Sequence, residues 1–195
     1  MGAGSRMSRV AALTRVGGGA IGIWAGPPPI SESDDMGMIV RPVQPGDFEA
    51  LAGFLEANNI SEVTGQFHPF PLTEETARTI CRADTRDRYF VVADGAEIRG
   101  LAMLRGWDEG FDIPSLGILI DIRYRGRGLG RRASQFVIDE ARRAGCATVR
   151  LSVYASNTPA VSLYVSLGFV ETNRHAVLRG EARDVKIVMT KDPAT

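Results

Sequence analysis

The chain has 195 residues and a mass of 21.1 kDa, with 44% hydrophobic, 24% charged and 7% aromatic residues, an ordinary composition with enough apolar content to bury a core. Twenty-three Lys and Arg balance 23 Asp and Glu, so no net field exists to grip a nucleic-acid backbone or an anionic membrane, and neither is expected as a partner. Two cysteines, Cys81 and Cys146, form no disulfide framework and no metal-ligand spacing, and no apolar run approaches the roughly 20 residues that span a bilayer, which points to a reduced cytoplasmic setting with no metal.

Residues 1–37 are rich in Gly, Ser and Pro, with Pro27-Pro28-Pro29 and the polar run Ser31-Glu32-Ser33-Asp34-Asp35. They read as a disordered extension, or as sequence upstream of a start at Met36 or Met38. Val16 to Ile30 follows three arginines but is broken by glycines and prolines and precedes no cleavage site, so a secretory leader is not expected. Residues 38–191 read as one domain.

Met38 to Val43 is a short apolar strand, and Pro45-Gly46-Asp47 supplies the turn and cap for a helix from Phe48 to Ala57. After a loop carrying Phe67-His68-Pro69-Phe70-Pro71, Leu72 to Ala83 reads as a second helix, with Thr73 as cap and two acids in its positive first turn. Tyr89 to Ala93, a turn at Asp94-Gly95, and Ile98 to Leu104 make an antiparallel hairpin, and Leu116 to Ile122 adds a third strand. Leu129, Ala133, Phe136, Val137, Ala141 and Ala144 recur at helical steps up to Gly145, with arginines and Asp139 on the opposite side. The strand Val149 to Val153 then lies parallel to Leu116–Ile122, because a helix crosses between them. A helix from Thr158 to Leu167, stopped by Gly168, and strands near Phe169–His175 and Asp184–Met189 complete the chain.

Between the third strand and the amphipathic helix stands Arg125-Gly126-Arg127-Gly128-Leu129-Gly130. Glycines let a backbone approach a bulky anion, and N–H groups at a helix N-terminus form a phosphate cradle. A dinucleotide fingerprint fails because Arg131 stands where a third glycine is required, and a P-loop fails for lack of Gly-Lys-Ser/Thr. Taken alone, these glycines need be no more than a tight turn.

The turn resembles motif A of the GCN5-related N-acetyltransferases (GNAT), whose Arg/Gln-x-x-Gly-x-Gly/Ala pattern is met by Arg125, Gly128 and Gly130. Asn157, Ala160, Leu163, Tyr164, Gly168 and Phe169 are similar to that family's Asn-x-x-Ala-x-x-Leu-Tyr-x-x-x-Gly-Phe segment. The resemblance spans about Ile39 to Met189. It implies an α/β (α+β) fold: a mixed, mostly antiparallel sheet of six or seven strands, with a parallel pair splayed at the centre and about four helices.

It further implies acetyl-CoA as co-substrate, with pyrophosphate on Arg125, Gly126, Arg127, Gly128, Leu129 and Gly130. Pantetheine would lie along a bulged Leu116–Ile122 strand, on backbone groups around Leu119, Ile120 and Ile122, with Asn157 opposite. Tyr164 falls at the family's general-acid position, although its helical spacing suits a core aromatic equally. Proton transfer from a phenol of pKa about 10 to a thiolate of about 8.5 is uphill by roughly 2 kcal/mol, which favours hydrogen bonding to the departing sulfur.

An amine of pKa near 10.4 is only about one part in a thousand neutral at pH 7, so a base is needed. Glu109, in the loop Trp107 to Asp112, is the first choice and a solvated acidic turn is the bland reading; a water chain to backbone carbonyls is a third option. His68 is a second candidate base or an acceptor contact, and Phe67, Phe70 and Trp107 are read as an apolar wall for a sugar ring or aliphatic amine. The expected function is direct acetyl transfer to a primary amine, of a small molecule such as an amino sugar or, alternatively, of a protein N-terminus. A non-catalytic acyl-CoA-binding regulator is the reading from another class, and a homodimer is left open.

Overall fold

The computed structural model describes residues 37–82 and 84–195. Apart from Gly37, the Gly- and Pro-rich segment lies outside the described residues. Among the described residues there are seven strands: β1 (Ile39–Pro42), β2 (Arg88–Asp94), β3 (Glu97–Arg105), β4 (Ser115–Ile120), β5 (Val149–Tyr154), β6 (Val170–Arg179) and β7 (Ala182–Lys191). The helices are α1 (Phe48–Ala57), α2 (Ser61–Thr64), α3 (Glu74–Cys81), α4 (Leu129–Arg143) and α5 (Thr158–Ser166).

All seven strands form one sheet in the order β1-β2-β3-β4-β5-β7-β6. Every neighbouring pair is antiparallel except β4 and β5, as the crossover through α4 requires. Because strand side chains alternate, the sheet separates two cores. Phe90, Val92, Ala102, Leu104, Leu116, Ile120, Leu151 and Val153 pack with α4 on one face, while Val91, Leu101, Met103 and Leu119 pack with α1 and α3 on the other. Leu101 and Met103 are fully buried, so truncation of either to alanine is expected to cost about 2–5 kcal/mol.

Local chemistry explains the helix ends. Thr73 accepts a hydrogen bond from the Thr76 N–H and is the expected cap, so α3 begins at Glu74. Gly145 takes φ +75° and the Cys146 N–H reaches back to the Ala141 carbonyl, closing α4 at the predicted glycine. The single turn α2 was not expected; its four residues show too little periodicity to read.

Two expectations for the central strand are corrected. It ends at Ile120 rather than Ile122, because the Asp121 carboxylate accepts the Arg123 N–H at 3.0 Å and starts a 3-10 turn over Ile122–Tyr124. No bulge interrupts its register with β3, which runs unbroken from Gly100↔Ile120 to Arg105↔Ser115. Register shifts lie elsewhere: between Glu171 and Asn173 in the β6–β7 pair, and between Val92 and Ala93 in the β2–β3 pair, where Arg99 is left without a cross-strand partner.

Candidate active site

The parallel pair is joined at one point only. Ser115 lies opposite Arg150, the Arg150 N–H donates to the Pro114 carbonyl at 3.0 Å, and beyond this the strands diverge. The Arg150 Nε–H also donates to Ser115 Oγ at 2.9 Å and pins the apex. The result is a wedge-shaped opening at the centre of the sheet, widening toward the C-terminal ends of β4 and β5.

Backbone alternation shows which groups line it. The Asp121 N–H donates to the Arg99 carbonyl, so odd-numbered residues of β4 turn their N–H and C=O toward β3, and Ile118 and Ile120 turn theirs into the opening. On β5 the Ala155 N–H bonds Val185 of β7, which leaves the backbones of Ser152 and Tyr154 facing the opening from the other side. Leu119, one of the expected backbone contacts, is therefore turned away, whereas Ile118, which sequence reading missed, is turned in. The Ile122 N–H is engaged at 3.3 Å by Oδ1 of Asn58, at the end of α1. Ile118 is only half buried and Ser152 is exposed, unusual for central strands and consistent with an open slot.

At the wide end stands the glycine turn. Gly126 and Gly128 have φ of +78° and +79°, a region that side-chain-bearing residues avoid, and Gly128 is the N-cap of α4. No side chain caps this helix and no acid stands in its first turn, so its first N–H groups are left for an anion. Gly130 sits against α5: a Cβ there would lie 3.5 Å from Leu163. Arg125 is exposed and its Nε–H lies 3.4 Å from the Ile120 carbonyl. Arg127 stacks over Tyr124 at 4.7 Å and has one buried Nη with no hydrogen-bond partner, an unsatisfied donor within the glycine turn.

Tyr164, on α5, is 8% exposed and packs edge-on against Phe169 with ring centroids 5.8 Å apart. Burial pushes its phenol up to about 12. Asn157 caps α5 through Oδ1, which accepts the Ala160 N–H at 3.4 Å.

The opposite face of the opening is covered by the loop after α2. His68 packs edge-on against Tyr154, the last residue of β5, with ring centroids 5.6 Å apart, and its Nε2 lies 3.1 Å from the Gly65 carbonyl. Phe67 and Phe70 stack edge to face at 5.5 Å in the α1/α3 core. Trp107 does not join them. It packs into the α4 core on the other face of the sheet, with Arg88 over its ring, so the expected wall of Phe67, Phe70 and Trp107 is not assembled. Glu109 is paired with Arg105, whose guanidinium also donates to the Pro69 carbonyl at 2.5 Å. Its carboxylate is committed to a loop brace beyond the closed apex of the opening.

The "Acetyltransferase (GNAT) family" model matches residues 54–169. The [ribosomal protein bS18]-alanine N-acetyltransferase of Escherichia coli K12 is 40% identical over 126 residues, covering 63% of this chain and 81% of that protein. An N-acetyltransferase from Staphylococcus aureus Mu50 superposes with a TM-score of 0.67 at 19% identity, over 80% of this chain and 98% of its own. A spermidine N-acetyltransferase from Vibrio cholerae, solved with CoA and spermine, gives 0.66 at 23% identity, over 81% and 96% of the two chains. These two structures establish the likeness of fold.

Proposed function

Because the chain belongs to the GNAT family and is an acyl-CoA-dependent N-acetyltransferase, we propose that it moves the acetyl group of acetyl-CoA directly onto the N-terminal amine of a protein. The observation that carries the reading is the opening between β4 and β5, edged by backbone groups that no strand pairs and headed by a helix N-terminus that no side chain caps. The residues present fit the co-substrate. The N–H groups after Gly128, with Arg125 and Arg127, suit the pyrophosphate, and the backbones of Ile118 and Ile120 suit pantetheine as an added strand. Asn157, whose side-chain N–H groups are not used in capping, suits the opposite wall.

Acetyl-CoA supplies an activated acyl group on a thiolate leaving group. The chain's part is to aim N–H donors from β4 at the carbonyl oxygen where charge develops, and to offer the Tyr164 hydroxyl to the departing sulfur. Deprotonation of the amine falls to His68. A carbonyl oxygen can only accept, so the His68 Nε2 carries the proton toward Gly65, which leaves the Nδ1 lone pair for the incoming ammonium. Glu109 is a weaker candidate because Arg105 already holds it.

A protein amine is favoured over a small molecule by the 40% identity to a ribosomal-protein-alanine acetyltransferase. The amino-sugar alternative loses its support with the separation of Trp107 from Phe67 and Phe70. Thiol release from acetyl-CoA is to be measured with a peptide beginning in alanine, with glucosamine and with spermidine. Turnover of the peptide at least tenfold above both small amines is expected; preference for either amine refutes the protein-acceptor reading.

A further inference from the structure

One guanidinium joins four separate segments beside the acceptor face. Arg179, near the β6–β7 turn, donates to the Gly65 carbonyl after α2, to Asp184 of β7 at 2.9 Å and to Ser156 after β5 at 3.3 Å. It also stacks on Tyr154 at 4.4 Å. His68 engages the same Gly65 oxygen and the same Tyr154 ring. A carbonyl oxygen has two lone pairs, and here both have donors: Arg179 on one side, His68 on the other.

We propose that Arg179 is a positioning residue that fixes the loop bearing His68 and thereby aims the imidazole at the acceptor amine. The inference rests on the reading of His68 as the base. His68 is exposed, and its ring is held by the Tyr154 face, the Gly65 carbonyl and the covalent constraint of Pro69. Its tautomer and ring plane therefore depend on where the Gly65 carbonyl points, and the Gly65 carbonyl is tied to the β6–β7 hairpin by Arg179 across 114 residues of sequence. There is no spare room in this joint, since a Cβ at Gly65 would lie 3.0 Å from the guanidinium. The charged groups around it are Arg179 from β6, Asp184 from β7 and Arg105 from β3 through Pro69. The Ser156 hydroxyl, with the Val185 N–H and Arg179, pulls the Asp184 carboxyl down to about 2, so its charge balances the guanidinium throughout the working range.

The test is a double-mutant cycle on the full chain with acetyl-CoA and an alanine-initiated peptide, accompanied by hydrogen exchange of residues 61–70. His68→Gln and Arg179→Gln are each expected to lower kcat at least tenfold, with acetyl-CoA Kd changed less than twofold. If Arg179 works through His68, the double variant is within threefold of His68→Gln alone, and Arg179→Gln speeds exchange in the loop. Multiplicative losses in the double variant overturn the positioning role while leaving His68 as base. Normal turnover of His68→Gln overturns both. A wild-type chain that binds acetyl-CoA yet leaves the peptide unacetylated refutes the acceptor reading instead, and unchanged loop exchange in Arg179→Gln then overturns the clasp by itself. Should Arg179→Gln unfold, Asp184→Asn, which keeps the guanidinium but removes its carboxylate, carries the same cycle.

Discussion

Replacing Tyr164 with phenylalanine removes one oxygen from the centre of the proposed site and leaves its packing intact. The ring stays buried against Phe169, and none of the described hydrogen bonds uses its hydroxyl, so the loss of folding stability is expected to stay below about 1 kcal/mol. Catalysis should respond far more. With the phenol at about 12, full proton transfer to a thiolate of about 8.5 is uphill by about 5 kcal/mol. In the proposed mechanism the hydroxyl therefore serves as a hydrogen-bond donor to the leaving sulfur and keeps its proton. Removing one donor aimed at developing charge in a water-poor site lowers kcat about 10²- to 10³-fold, or about 2.7–4 kcal/mol. Thiol release at saturating acetyl-CoA reads kcat, and calorimetric titration of acetyl-CoA reads binding, which should change less than twofold. A Tyr164→Phe enzyme within threefold of wild type would make Tyr164 a core residue and refute the reasoning.

The same buried phenol makes a prediction for stability. Its folded pKa lies above the unfolded value near 10, so its stabilising contribution is complete below pH 10 and is lost as pH rises through about 12, an effect of about 3 kcal/mol at most. Urea midpoints of wild type should fall more steeply than those of Tyr164→Phe between pH 10 and 12; parallel curves would contradict the depth of burial. The glycine turn makes a third. Gly128→Ala meets no atom within 4 Å but forces a side chain to φ +79°, costing about 1–2 kcal/mol and weakening acetyl-CoA about 5- to 30-fold if the strain falls on the bound form. Gly130→Ala brings Cβ only to ordinary contact with Leu163 and should bind acetyl-CoA within threefold of wild type; the reverse ranking in titrations would misplace the cradle.

Much of the fold was legible because its signals are local. The α1 limits follow from a proline-glycine-aspartate turn and an asparagine stop, and α4 follows from its apolar stripe and Gly145. The parallel β4–β5 pair follows from the crossover alone. Errors arose where the deciding partner is remote or unusual. Ile122 continues the apolar run of β4 in sequence, and only the Asp121 carboxylate turning to Arg123 ends the strand before it. Phe70 and Trp107 look alike as aromatic flanks of one cleft, yet they reach opposite faces of the sheet. Glu109 has Arg105 only four residues before it, but that spacing outside a helix does not announce the ion pair, which forms because the loop after β3 folds back on the strand's end.

The choice between Leu119 and Ile118 shows why a binding strand is harder to read than a binding side chain. Hydropathy marks which side chains face each core, and it does so correctly here, with Leu119 toward α1 and α3 and Ile120 toward α4. It marks the N–H and C=O groups that point sideways into the opening only indirectly: side-chain face and backbone direction alternate together along a strand, so the phase follows only once the neighbouring strands and the helices on each face are known. The phase is set at the hydrogen bond from the Asp121 N–H to the Arg99 carbonyl, and Arg99 is the residue left without a cross-strand partner where the β2–β3 register shifts. Moving the β3–β4 pairing by one residue would turn Leu119 into the opening and Ile118 and Ile120 away, and would also exchange the two buried faces of β4. The phase of the backbone that faces the opening is thus enforced by the same packing that buries Leu119.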